Sequence, residues 1–533
     1  MKNRIIALFI AAVLSAGLIA GCSSSVSDVK NEPEEKQEEV QTEPEEESPE
    51  ESAEKVEEES SAGEAKAEDE EEPAEGLVIS TAKEFISRTD DDGKVIAYGH
   101  YPVIKASGKD YEKLSKALDD FTDSLKADVE KNLDDIADFA KEDIKDGRDL
   151  PGGYYTYNCD ALITRADEEV VSILLTYDTF SGGAHPSSWF VSGVYDSKGG
   201  EELNIGNVVK DMDSLPKTLS DKLLSEYDKE MFFDEDVEGL IKEAYGDDDK
   251  YVFTLDNGGI CFYFSAYQLA PYASGSQIVT FDYDDEADFV LDVYKENVDN
   301  MIEGIIPEKK YRFSDSDKAS FSWYANYEDD YEYELDVEIN GKQVSETITC
   351  AGMQPYLVKK DGKYFIYVNE LQMNDYQSID IYKIQAGVFK KVGSFERGFR
   401  DTSPTDPDNF YLAGRTDLLS TNNTYRSYHV GDDGMPVANE EYDHVVGSVS
   451  EKLTLKKDIE AEVYADEDAS EPEKTTLEKG TVLYYFRTDN ETFMDMKTED
   501  GRIVRFYPKT GEWPQTIDGT DIEELFDGVM FAG

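Results

Sequence analysis

A chain of 533 residues with 119 acidic side chains against 52 basic ones, net −67 at neutral pH, is a poor partner for nucleic acid or anionic lipid. Its hydrophobic content of 39 %, with 34 tyrosines and 25 phenylalanines, is ample for two to four domains with cores of their own. Its four cysteines and four histidines show no zinc spacing, so neither a metal nor a cofactor is expected.

The chain begins with Lys2 and Arg4, an apolar run over Ile5–Ala20, and a cysteine at position 22. Basic end, apolar stretch and small residues before a cut are the order of a secretory leader. Leu18-Ile19-Ala20-Gly21-Cys22 resembles the bacterial lipobox. That resemblance implies cleavage between Gly21 and Cys22, a diacylglycerol on Cys22 and further acyl chains of the palmitate kind. Several chains on one residue hold a protein stably on a membrane. The expected location is the outer, extracellular face of the cytoplasmic membrane in a Gram-positive-type cell. No later apolar run reaches the ~20 residues needed to span a bilayer. Residues 22–77 then read as a lipidated cysteine and an acidic tether. Asn31–Gly76 carries 22 acidic residues against 3 lysines and no aromatic residue, too little apolar surface to offset ordering. The remainder still carries a net −50, which draws basic proteins or divalent cations.

Folded structure is expected from residue 78. Gly93–Ile104 reads as a strand. Leu114, Leu118, Phe121, Leu125, Val129, Leu133 and Ile136 recur at helical spacing, with Asp110 as N-cap of a helix running to about Lys141. After Pro151-Gly152-Gly153 come strands over Tyr154–Arg165, Glu169–Phe180 and Ser188–Asp196. Helices follow at Leu215–Tyr227, with Pro216 in the first turn, and at Asp234–Tyr245. Further strands lie in Tyr251–Tyr283, and Asp285–Ile305 reads as a closing helix. This order gives an α+β domain with an antiparallel sheet over 78–306, in two halves of about 78–165 and 166–306. Cys159 and Cys261 sit in strand-like stretches and, with Cys350, read as buried small hydrophobes rather than a disulfide pair.

Two stretches of this domain carry a family signature. Tyr177, Ser181, Gly182, Gly183, Ala184 and His185 stand in "TYDTFSGGAHPSSW", and Phe262, Phe264, Tyr267, Pro271, Tyr272, Ala273 and Gly275 in "GICFYFSAYQLAPYASG". Together they resemble the extracellular domain of the lysozyme-sensing anti-sigma-V factor family. They are similar also to the non-catalytic N-terminal region of some peptidoglycan deacetylases. The resemblance spans Val78–Ile305 and implies partner recognition through Tyr177, Ser181, Gly182, Gly183, His185, Tyr267, Pro271, Tyr272 and Gly275. The cytoplasmic sigma-binding segment of the anti-sigma factors has no counterpart, so sigma regulation is not expected. Ser181 precedes the glycines and lacks the G-x-S-x-G frame of a nucleophile elbow, so the loop reads as turn-fixing or partner-contacting. "TFDYDD" (Thr280–Asp285) departs from the "TFDDG" of metal-dependent deacetylases, and no histidine pair has H-x-x-x-H spacing.

From Lys309 onward strands dominate. Asn340-Gly341, Asp361-Gly362 and Ala386-Gly387 each punctuate an alternating pair, the mark of two-residue hairpins, so 307–450 reads as an all-β domain. The segment 451–533, with Ala461–Tyr507 at its centre, resembles bacterial SH3-like domains. The expected protein is a lipid-anchored, non-enzymatic binding protein of the cell envelope. Its partner would be a basic protein such as lysozyme or a cell-wall component. The alternatives are an enzyme acting on peptidoglycan or an accessory subunit of a deacetylase, and a purely structural surface protein.

Overall fold

The structure, a computed structural model, describes residues 76–533 apart from 247–249, 296–297, 315, 327–330, 373–375, 449–451, 468, 512 and 533. Expectations for the leader, for Gly21 and Cys22, and for nearly all of the tether fall outside the described residues. Among those described, no helix is long and apolar enough to cross a membrane.

Strands β1 (Val78–Thr89), β2 (Val95–Ser107), β3 (Tyr155–Ala166), β4 (Val170–Phe180) and β5 (Ser187–Asp196) lie side by side in chain order. β2 and β3 run parallel, because helix α1 (Glu112–Lys145) carries the chain back across the sheet. The other neighbours are antiparallel. The period in α1 buries Leu114, Leu118, Leu125, Val129, Leu133 and Ile136 in one core with Tyr101, Tyr157 and Tyr177 of the sheet. The helix starts slightly later than expected. Asp110 has a φ of 76°, outside the helical region, and Tyr111 takes the N-cap position instead.

A second layer holds α2 (Leu215–Glu226), α3 (Val237–Ala244) and a three-stranded sheet of β6 (Phe253–Leu255), β7 (Gly259–Phe264) and β8 (Gln277–Asp282). Asp236 caps α3, accepting from the Gly239 N–H at 3.0 Å. Leu219, Leu223, Ile241, Phe262 and Val279 share its core.

The helix expected over Asp285–Ile305 is corrected. Its described part holds a single 3-10 turn at Asp292–Tyr294 and then strand β9 (Met301–Gly304). All four residues of β9 are buried, so the strand has no alternation to distinguish it from a helix. Gly304 is what lets it cross β3 closely, because a Cβ there would fall 2.5 Å from Leu162.

β10 (Tyr311–Arg312), β11 (Lys318–Ala325), β12 (Glu332–Ile339) and β13 (Lys342–Thr349) form a four-stranded sheet. β9 joins β14 (Gly352–Lys360), β15 (Lys363–Leu371), β16 (Gln377–Gln385) and β17 (Val388–Phe395) in another. The three two-residue turns have both φ values positive: 51° and 77° at Asn340-Gly341, 50° and 72° at Asp361-Gly362, 53° and 72° at Ala386-Gly387. That is the backbone whose twist matches the flanking strands. The rest of the chain builds a 12-stranded sheet, in which Asp443–Ser448 pairs with Val482–Thr488 and so carries the ladder past position 450. The fold is thus an α+β part with antiparallel sheets followed by a strand-rich part. Cys159, Cys261 and Cys350 are buried free thiols.

The two parts are tied by side-chain hydrogen bonds. A bulge in β3 between Ile163 and Arg165 interrupts the ladder, and the Ile163 N–H donates instead to Ser403 Oγ at 2.7 Å. The Ser403 N–H in turn donates to Thr81 Oγ1 at 2.7 Å. Pro73–Gly533 is one compact unit.

Candidate binding site

β4 and β5 are joined by the loop 181–186, and β7 and β8 by the longer loop 265–276. In the first, Gly182 and Gly183 have φ of 88° and 104°, a region that side-chain-bearing residues rarely enter. A Cβ on Gly182 would also stand 3.1 Å from the Tyr155 hydroxyl. In the second, Pro271 leads into a 3-10 turn over Tyr272–Ser274, and Gly275, at φ 67°, ends it. Gln277 is fully buried and donates through Nε2 to the Gly275 carbonyl at 2.7 Å, fixing the exit.

The two loops meet. The His185 ring stacks on Tyr272 with centroids 3.7 Å apart and planes 17° from parallel. Tyr272 donates its hydroxyl to the Pro186 carbonyl at 3.1 Å, and His185 Nδ1 lies 2.9 Å from the same oxygen. A carbonyl only accepts, so Nδ1 donates to it. Tyr267 extends the ridge at 5.6 Å from Tyr272, with 61 % of its surface exposed. Its φ of 70° is unusual for a tyrosine and is held by a hydrogen bond from its N–H to the Ala270 carbonyl. Below the ridge, the Phe190 N–H donates to Ser265 Oγ at 3.0 Å, which locks β5 to the second loop.

Ser181, Gly183, His185, Tyr267 and Pro271 are exposed, and Gly182, Tyr272 and Gly275 are partly so. Tyr177 is different. It is 6 % exposed, stacked on Trp189 at 5.2 Å and packed against Tyr157 in the core beneath α1. Alternation along β4 turns it to the helix side, so it supports the sheet and does not reach a partner. The arrangement offers stacking faces, the Nε2 edge of an imidazole and exposed backbone. The His185 ring bonds a backbone carbonyl rather than a carboxylate. Among the described residues, no group of three His, Cys, Asp or Glu side chains is placed to hold a metal ion.

An exposed aromatic strip on the first sheet has no counterpart in the sequence reading. Phe85 on β1 is 61 % exposed and stacks on Tyr98 at 5.9 Å, and Tyr98 lies 5.8 Å from Tyr154. His100 sits beside Phe85 and meets Asp160 at 3.1 Å through Nε2. Partial burial raises the Asp160 carboxyl, but His100 and Lys83, both at Oδ1, outweigh it and pull it down to about 2. The available signal was alternation: Lys83 and Phe85 on β1 face His100 and Pro102 on β2 across the hairpin.

Residues 93–188 match the family model described as deacetylase PdaC, and residues 207–284 match that of a protein family of unknown function, DUF3298. No curated protein matches the chain. Among solved structures, a DUF3298 family member from Bacteroides fragilis is 16 % identical with a TM-score of 0.31, over 42 % of this chain and 98 % of that one. A DUF3298 family protein from Pseudomonas aeruginosa is 15 % identical with a TM-score of 0.28, over the same shares of 42 % and 98 %. The loop 181–186 lies in the first matched stretch and 265–276 in the second. The chain therefore carries a region like that of deacetylase PdaC followed by one like DUF3298, and the aromatic ridge joins a loop of the first to a loop of the second.

Proposed function

We propose that the protein is a lipid-anchored binding protein of the cell envelope, accessory to glycan deacetylation and not itself catalytic. It would dock on a basic protein or a cationic wall component through the ridge of His185, Tyr272 and Tyr267. One observation carries the reading. Two loops nearly ninety residues apart converge on an exposed stack of rings, one of which is held at a φ of 70°. Backbone strain of this kind persists where the surroundings impose it, and it concentrates at binding sites. Loops on a rigid sheet usually carry recognition. The net −50 of the part after the tether favours a basic partner and makes the encounter salt-dependent.

Calorimetry with a muramidase and pull-down on purified cell walls test this. Tyr267→Ala and His185→Ala should each weaken binding about tenfold or more, as truncation of a hot-spot ring does. Binding should fall steeply between low and moderate salt. Absence of binding at low salt, or binding that ignores both substitutions, overturns the ridge. A hydrolytic turnover that vanishes with His185→Ala overturns the non-catalytic reading. Mass analysis of the mature N-terminus tests the anchor, which fails if Cys22 is unmodified.

A further inference from the structure

Away from the ridge, between the β6–β7 turn, β9 and the segment 309–314, lies a cavity of about 370 Å³. That is within the size range of small-molecule sites. Its lining includes three charged residues that are almost wholly buried: Asp256 and Glu303, and Lys309 between them. Lys309 Nζ donates to Asp256 Oδ2 at 2.6 Å and stands 3.9 Å from Glu303 Oε1. It also lies 4.5 Å over the Tyr311 ring. Glu303 Oε2 accepts from Asn257 Nδ2 at 2.9 Å. The other Asp256 oxygen, Oδ1, is buried and accepts no hydrogen bond.

Charge and hydrogen bonding are thus both incomplete here. One ammonium serves two buried carboxylates. Over the whole lining, five carboxylates face four cations. Burial opposes the Lys309 charge, but Asp256, Tyr311 and Glu303 outweigh it and keep the lysine protonated. Burial also pushes the Glu303 carboxyl up to about 7 despite the pull of Lys309, as expected where positive charge is short. Phe313 and Tyr364, edge to face at 5.6 Å, add aromatic surface to the lining.

We propose that this cavity binds a compact ligand through a protonated primary amine, which donates to Asp256 Oδ1 and Glu303 and packs on the aromatic lining. An anion would meet two carboxylates. A neutral ligand would do nothing to offset the second carboxylate when Glu303 is ionised. An ammonium supplies one positive charge and three donors, and it is attracted to aromatic faces. An amino sugar and a lysine-type side chain offer the same group, so the test separates them.

The purified full chain is titrated calorimetrically near neutral pH with glucosamine, N-acetylglucosamine and Nα-acetyllysine. Glucosamine, Nα-acetyllysine or both should saturate the chain. N-acetylglucosamine, the same ring with an uncharged amide, should bind at least about tenfold more weakly. Glu303→Gln, which keeps the shape and removes the charge, should weaken the amine at least about tenfold. Tyr364→Ala should weaken it several-fold. Asp256→Asn is avoided, because it strips a buried lysine of its partner. Saturation by glucosamine alone assigns an amino sugar, and by Nα-acetyllysine alone a side chain. Equal binding of N-acetylglucosamine, no saturation by any of the three below about 10 mM, or undiminished binding by both folded variants overturns the proposal.

Discussion

Asp495 is fully buried between two guanidinium groups, with Arg487 Nε at 2.9 Å and Arg505 Nε at 2.7 Å. Asp443 repeats the arrangement with Arg397 Nη2 at 2.6 Å and Arg426 Nε at 2.7 Å. One carboxylate compensates two part-buried cations in each case, so losing it costs more than losing either arginine. Asp495→Ala is expected to lower stability by about 3–5 kcal/mol in urea unfolding. Arg505 also lies 3.7 Å over the Phe493 ring, a contact that survives this substitution. An unchanged urea midpoint would mean that apolar packing alone holds that part of the sheet. Gly183 tests backbone strain without crowding, since a Cβ there meets nothing within 4 Å at its φ of 104°. Gly183→Val should cost about 1–3 kcal/mol. Gly182→Val should cost more, because the Tyr155 hydroxyl stands in the way. The reverse order would show that steric contact is not what shapes this loop.

Strands β9 and β15 each carry a carboxyl displaced by its surroundings. Burial pushes Glu303 up to about 7 against the pull of Lys309, and burial together with Asp380 pushes Glu370 up to about 7. In the unfolded chain both titrate near ~4.3. The folded strands therefore hold protons that the unfolded chain has released. Their stabilising contribution is full below about pH 4.3 and is lost as pH rises through about 7. Melting temperature should fall between mildly acidic and neutral pH, and a Glu303→Gln, Glu370→Gln double variant should fall less. Parallel curves for the two proteins would refute the assignment. The same strands show what sequence reading can and cannot reach. The hairpins at Asn340, Asp361 and Ala386 and the buried face of α1 were legible, because turn chemistry and helical spacing are local. β9 was not, since a wholly buried strand has no alternation and takes its identity from pairing with β14. Each ridge loop was legible by its glycines and prolines. Their contact was not, because the packing of β5 against the second loop sets it. Asp256, Glu303 and Lys309 stand in the sequence as ordinary surface charges, and only the fold buries them.

At the scale of the molecule, the first sheet is completed by residues far along the chain. Ser403 caps the β3 bulge and bonds Thr81, and β9 crosses β3 while pairing with β14. A fragment of residues 76–306 loses the Ser403 cap and the Lys309 partner of Asp256. It should melt below the full chain and bind a hydrophobic dye that the full chain excludes. Equal melting temperatures would show the two parts to be energetically independent. There is also a consequence in time. A ribosome releases Ile163 well before Ser403, which follows it by 240 positions. At about 5–20 residues per second the wait is roughly 12–50 s. Until Ser403 is in place, the Ile163 N–H of the β3 bulge lacks the acceptor it has in the finished fold, so the first sheet is completed only after the later part of the chain has been made.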